Sequence, residues 1–110
     1  GQNQFLYKGT SKKENLTYSI IKGSLINFVR QMCAYYAQYN IKINSISPGG
    51  IEDRSMSKMF KKKYSEICPS KRLGKPEEIA SVILFLSSNT SSYINGSNIV
   101  VDGGFSIIWL

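Results

Sequence analysis

Histidine is absent from these 110 residues, and with it go the Ser-His-Asp and Cys-His arrangements of nucleophilic catalysis. Most catalytic zinc sites are excluded too, because they lean on imidazole ligands. Acid–base work near neutral pH is left to Tyr, Lys, Asp, Glu or Cys. Cysteine is scarce: Cys33 and Cys68 are too few for a disulfide framework and lack a metal-ligand spacing. Both are expected as reduced thiols, Cys33 as a small apolar filler on a helix, and no metal is expected. No apolar run approaches the length of about 20 residues that spans a bilayer. The start, Gly1-Gln2-Asn3-Gln4, lacks the basic region and apolar stretch of a signal peptide. The expectation is a soluble, cytoplasmic protein with no membrane partner.

Acidic residues are also few, 7 against 14 basic ones, for a formal charge of +7. Clusters at Lys12-Lys13, Lys58 and Lys61-Lys62-Lys63 invite a nucleic-acid reading. Against it, eleven of the fourteen cations are Lys, whereas phosphate and base-edge forks favour Arg. Aromatic and basic residues do not interleave as in nucleic-acid modules. A solvated, Lys-rich surface accounts for the charge, and no nucleic-acid partner is expected.

What the chain does have is 42% hydrophobic content, enough to supply one domain's core. Residues 1–15 are polar and irregular and are expected as a loop. Residues 16–39 contain no Pro and a single Gly, and Ile21, Leu25, Phe28, Met32 and Tyr36 recur at helical spacing. A second row runs through Tyr18, the Lys22 stem, Ile26, Val29 and Cys33, which leaves a narrow polar stripe. Such a helix is expected to be buried on more than one side, within a larger protein or at a subunit interface.

Residues 41–47 are expected as a strand that ends in Pro48-Gly49-Gly50. Residues 51–75 are charged and irregular, a loop with a short helix around 57–65. Residues 76–88 are expected as a helix, with Pro76 at its first position and Glu77 and Glu78 at the positive end of the dipole. Residues 98–101 are expected as a strand that stops at Asp102-Gly103-Gly104. Helix–strand–helix–strand order specifies an α/β fold with parallel strands and a right-handed crossover. Two parallel strands alone leave an open edge and much uncovered apolar surface, so further strands and helices are expected on the N-terminal side.

Tyr18 and Lys22 are four residues apart, which stacks a phenol and an ammonium on one helix face. A free phenol titrates near 10, and a neighbouring cation favours its ionised form. Such a pair can move a proton on or off a hydroxyl or carbonyl while hydride moves elsewhere. The spacing alone carries no weight: seven Tyr and eleven Lys in this length yield roughly 0.7 such pairs by chance.

The surroundings carry more. The run from Tyr18-Ser19-Ile20-Ile21-Lys22-Gly23 through Asn44-Ser45-Ile46-Ser47-Pro48-Gly49 resembles the catalytic helix and following strand of short-chain dehydrogenases/reductases. Arg72-Leu73-Gly74-Lys75-Pro76-Glu77-Glu78 resembles the start of that family's next helix. Tyr93-Ile94-Asn95-Gly96 through Asp102-Gly103-Gly104 resembles its last strand and exit. All come in the family's order, over residues 16–106. The resemblance implies the C-terminal part of a Rossmann-type doubly wound parallel sheet. It implies an oxidoreductase using NAD or NADP on a small-molecule alcohol or ketone, with a homo-oligomer built through helix 16–39. Tyr18 would be the acid/base, and Lys22 would favour its phenolate and bond the nicotinamide ribose. Pro48-Gly49 would turn the chain at the strand's C-terminal end, where ligands sit in open α/β sheets. The backbone of Ile51 would meet the nicotinamide carboxamide.

Three departures stand beside the resemblance. Asp53 occupies a place where the family commonly carries Thr, and a carboxylate would repel the cofactor phosphates. No Gly-rich dinucleotide turn occurs in these residues. The family's substrate-orienting Ser lies about a dozen residues before the Tyr; that count lands near Phe5, and Ser11 and Ser19 are wrongly placed. Tyr7-Lys8-Gly9-Thr10 and Pro48-Gly49-Gly50-Ile51 resemble a subgroup that includes flagellin-modification protein A and other enzymes of bacterial surface-sugar biosynthesis. Residues 51–72 would then form a substrate-side lid in which Arg54, Lys71 or Arg72 meets an acidic substrate. The competing expectation is an inactive truncated product that acts only as a dimerisation module.

Overall fold

The computed structural model describes residues 6–9 and 16–108. Besides helical Leu6 and Tyr7, they hold the helices α1 (Leu16–Tyr36), α2 (Lys58–Ile67) and α3 (Pro76–Leu86) and two strands, β1 (Ser45–Pro48) and β2 (Asn98–Val101). The strands pair in parallel, Ser45 opposite Asn98 and Pro48 opposite Val101. As the intervening helices require, this is a crossover sheet, and it has two strands.

Helix α1 continues into a 3₁₀ turn, Ala37–Tyr39, and is closed by Asn40 in the left-handed conformation at φ 58°. Asparagine tolerates that region better than most side chains. The chain enters β1 later than the apolar alternation from residue 41 predicts, because side-chain amides replace the ladder there. Ile43 N–H donates to Asn95 Oδ1 at 2.8 Å, and Asn44 Nδ2 donates to the Ile94 carbonyl at 3.0 Å. Asn44 Oδ1 in turn accepts from Ser97 N–H at 3.0 Å. The regular ladder begins where Ser45 N–H donates to the Ser97 carbonyl and ends where Gly49 N–H donates to the Val101 carbonyl. Backbone donors alternate sides along a strand, so the N–H that Pro48 lacks falls on the edge of β1 facing away from β2.

Segment 51–75, expected as a loop around a short helix, holds the ten-residue α2. Ser57 caps it, its hydroxyl accepting from Phe60 N–H at 3.2 Å. Helix α3 starts at Pro76 as its sequence signature requires, and the Glu78 carboxylate accepts from Lys75 N–H at 2.7 Å. It ends at Leu86, two residues before the expected end, because Ser88 leaves the helical conformation at ψ 165°.

The core is small and lies at the α2 end. Leu6, Tyr64, Cys68 and Leu73 are buried, with Tyr7, Met56, Phe60, Ile67 and Phe105 packed around them. Leu6 and Tyr7 are helical and join this core, so the expected polar loop over 1–15 is corrected at these two residues. With Phe5 they make up the apolar part of that stretch, and the Tyr7 ring meets Phe60 at 5.9 Å. Lys8 and Gly9 follow as a turn, and the rest of that expected loop, with Phe5 and Ser11, lies outside the described residues. Both cysteines are free thiols, and the fully buried one is Cys68, while Cys33 is half-buried beside Gly96.

The expected burial of α1 is not found among the described residues. None of its residues is buried; its half-buried stripe runs through Ile26, Val29, Met32, Cys33 and Tyr36, while Ile21, Leu25 and Phe28 are exposed. No helix among the described residues is long and apolar enough to cross a membrane.

Candidate active site

Helix α1 holds Tyr18 and Lys22 one turn apart, and the Lys22 ammonium lies 5.6 Å from the centroid of the Tyr18 ring. At that range the cation also interacts with the ring's π face. The phenol is 60% exposed, so it is open to a ligand from the side that α1 does not cover.

The second part of the candidate site is the turn after β1. Gly49 N–H is spent on Val101, and Gly50 N–H donates to the Tyr64 hydroxyl at 2.8 Å. The Gly50 carbonyl accepts from Gly74 N–H at 2.9 Å, and Glu52 N–H donates to the Gly74 carbonyl at 2.8 Å. Ile51 therefore pairs as an isolated parallel bridge with Gly74 through its two neighbours. By the same alternation its own N–H and C=O point to the opposite side. They make no hydrogen bond among the described residues. This donor–acceptor pair matches the two halves of a primary carboxamide. A shallow cleft of about 90 Å³ lies on the Gly74 side, walled by Ile51, Arg72, Glu78 and Asp102, and Tyr18 and Lys22 do not line it.

The charged groups nearby are mostly committed to the fold. Arg72 grips Glu78 through two bonds of 2.8 and 2.6 Å, and this with the Lys75 N–H holds the Glu78 carboxyl down at about 2. Lys71 donates to the Glu66 carbonyl at 3.0 Å. Of the three cations expected to face a substrate, only Arg54 remains on the exposed loop without such a bond among the described residues. Asp53 accepts from Ser55 N–H and Ser55 Oγ, both at 3.0 Å, and these bonds hold its carboxyl below the ordinary carboxylate range. The place that carries Thr in the family is thus an ionised local turn. Partial burial pushes the Asp102 carboxyl up, but bonds from Ser106 and Gly104 N–H outweigh it and leave a net lowering. Gly103 and Gly104, at φ 65° and 85°, supply the left-handed bend that brings those donors back to the carboxylate. Among the described residues no three His, Cys, Asp or Glu side chains gather as a metal site.

The profile of a family described as Enoyl-(Acyl carrier protein) reductase matches residues 6–106, so it takes in α1, both strands and the turn between them. The chain belongs to the short-chain dehydrogenase/reductase family. It is similar to an uncharacterised oxidoreductase of Bacillus subtilis, at 40% identity over 79% of this chain and 36% of the relative. It is equally similar to a 3-oxoacyl-(acyl-carrier-protein) reductase of Aquifex aeolicus, at 40% identity over 86% of this chain and 40% of the relative. Among solved structures, 4-hydroxyisoleucine dehydrogenase complexed with NADH superposes with a TM-score of 0.82 at 30% identity, covering 91% of this chain and 43% of that one. A short-chain dehydrogenase from Leptospira borgpetersenii with bound NAD+ gives 0.80 at 31% identity, covering 93% and 41%. The chain spans about two-fifths of the length of these relatives. The α/β, Rossmann-type class expected of a short-chain dehydrogenase/reductase is the class observed. Tyr64, which holds the turn of this family member in place, was not singled out by sequence; its only signal was a Tyr on the apolar side of an otherwise Lys-rich helix.

Proposed function

We propose that this chain forms the proton-transfer and carboxamide-contacting part of an oxidoreductase that uses NAD or NADP on a small-molecule alcohol or ketone. The observation that carries the reading is the Tyr18–Lys22 pair on α1 of a family member, with the ammonium 5.6 Å from the phenol ring. The nicotinamide ring, when bound, supplies hydride for reduction and takes it up in oxidation. In reduction Tyr18 gives its hydroxyl proton to the carbonyl oxygen as the carbonyl carbon receives hydride, which completes the alcohol and leaves a phenolate. Lys22 stabilises that phenolate and donates to the nicotinamide ribose. Proton uptake from solvent restores the phenol, and oxidation runs the same steps backwards. Pro48 and Gly49 turn the chain out of β1, and the Ile51 N–H and C=O receive the carboxamide. The outward aim of those two groups is the feature by which the residues present fit the cofactor.

The segments Tyr7-Lys8-Gly9-Thr10 and Pro48-Gly49-Gly50-Ile51 support a substrate carried on a sugar or nucleotide-sugar, with the exposed Arg54 as the cation to meet it. The uncovered apolar residues of α1, among them Leu16, Ile20 and Phe28, support a homo-oligomer through that helix. The same exposure favours a second reading, in which the chain acts only as a pairing module.

Isothermal calorimetry with NADH and NADPH separates the two. The intact protein carrying this chain is expected to bind one dinucleotide, and the 110 residues alone none, because they hold no Gly-rich turn. Absence of binding by the intact protein would sink the oxidoreductase reading. Turnover of an alcohol by the 110 residues alone would overturn their dependence on further chain.

A further inference from the structure

We infer that Tyr64 is a positioning residue for cofactor binding, its hydroxyl fixing the Gly49–Gly50 peptide, the plane that leads into the two from which Ile51 presents its N–H and C=O. The inference rests on the carboxamide role proposed for Ile51. Four consecutive backbone attachments hold this turn: Gly49 N–H to the Val101 carbonyl, Gly50 N–H to Tyr64, and the Gly50 carbonyl and Glu52 N–H to Gly74. Three of them join backbone to backbone. Tyr64 is the one side chain in the set, and it reaches the turn from α2.

The ring of Tyr64 does not need its hydroxyl to stay buried. It stacks on Phe105 at 4.6 Å with the planes 3° apart, and it meets Phe60 at 6.2 Å. An apolar ring would satisfy both neighbours, so the hydroxyl is placed for Gly50. The glycine is matched to it in turn: a Cβ at residue 50 would lie 2.6 Å from the Tyr64 ring and 2.7 Å from Leu73. Burial pushes the Tyr64 hydroxyl above its ordinary value of 10, so the group stays neutral across the physiological range. Without it, Gly50 N–H loses its acceptor, and the Gly49–Gly50 peptide is freed to rotate, which leaves the two planes that flank Ile51 held only by Gly74.

Tyr64→Phe in the intact protein tests this, beside Phe105→Leu as a control that loosens the same ring but keeps the hydroxyl. NADH fluorescence titration, thermal melts and steady-state kinetics are measured on all three proteins. Tyr64→Phe is expected to raise the Kd and KM for the dinucleotide by roughly three- to tenfold, the range for loss of one hydrogen bond, with kcat within about twofold of the parent. Phe105→Leu is expected to lower the melting temperature at least as far while leaving that Kd unchanged. Equal affinity of Tyr64→Phe and the parent overturns the inference. So does a loss of affinity that follows melting temperature alike in both variants. A parent protein that binds no dinucleotide fails at an earlier point, the Ile51 role itself, and takes the inference with it. Hydrogen exchange at the Gly50 amide then still shows whether the Tyr64 bond exists.

Discussion

Helix α1 and the turn at Gly49–Ile51 carry the two halves of the proposed chemistry, and the chain supports them very differently. Helix α1 spends 21 residues without burying one of them. The turn follows directly on β1, is tied at Val101, Tyr64 and Gly74, and is backed by the core of Tyr64, Cys68 and Leu73. A backbone ligand needs its peptide planes fixed, and here the chain fixes them itself. A proton donor on an exposed helix is placed only as well as the surfaces that come to cover that helix. Precision at Ile51 is internal, whereas precision at Tyr18 is borrowed.

Substitutions that separate chemistry from support break or sharpen this contrast. Tyr18→Phe removes the proposed acid from an unburied position. It is expected to lower kcat of the intact protein by about 10²–10⁴, with the melting temperature unchanged. A variant that keeps parental turnover would assign the proton transfer elsewhere. Gly50→Val drives a side chain into the Tyr64 ring and Leu73, and overpacking of this kind costs about 1–3 kcal/mol. A shifted urea midpoint with an unchanged denaturant slope would show it. The same change at Gly23 on α1, where a Cβ meets nothing within 4 Å, gives the matched control.

The smallest effect lies in the pH dependence. Glu78 titrates at about 2 in the fold against 4.5 ordinarily, so its pKa is depressed and the unfolded chain binds the proton more readily. Its contribution is present above pH 4.5 and is lost as pH falls towards 2. Glu78→Gln is expected to lower the melting temperature slightly near neutrality and to match the parent at about pH 2. A gap that persists in acid would mean that the carboxylate's charge is not what Arg72 uses. The group is exposed, so the pair is screened by salt and the whole effect is small.

How much of this was legible depended on whether the signal was local. Pro76, Glu77 and Glu78 marked the start of α3 because capping and dipole preferences act within one turn. Asp102-Gly103-Gly104 marked the exit of β2 because its bend needs the conformations that glycine reaches. The start of β1 was misplaced because Asn44 and Asn95 mimic ladder partners, and an alternating pattern does not distinguish them from a true rung. Arg72 was set aside for a substrate, but Glu78, six residues on, claims it once α3 turns back. The Tyr64–Gly50 bond was out of reach, since it depends on α2 folding over the turn. Tyr18 and Lys22 were placed on one face by helical spacing alone; what lies over that face is written in surfaces these residues do not contain.

Pro48 sets a limit on whatever lies alongside β1. Its ring occupies the one position on the outward edge where a neighbouring strand would need an N–H to make its last rung. A strand laid against Ile46 would find no donor at Pro48, only its carbonyl, so any ladder on that edge loses one rung at this level. The missing rung falls three residues before Ile51, so a single imino acid weakens pairing on the outward edge just ahead of the turn.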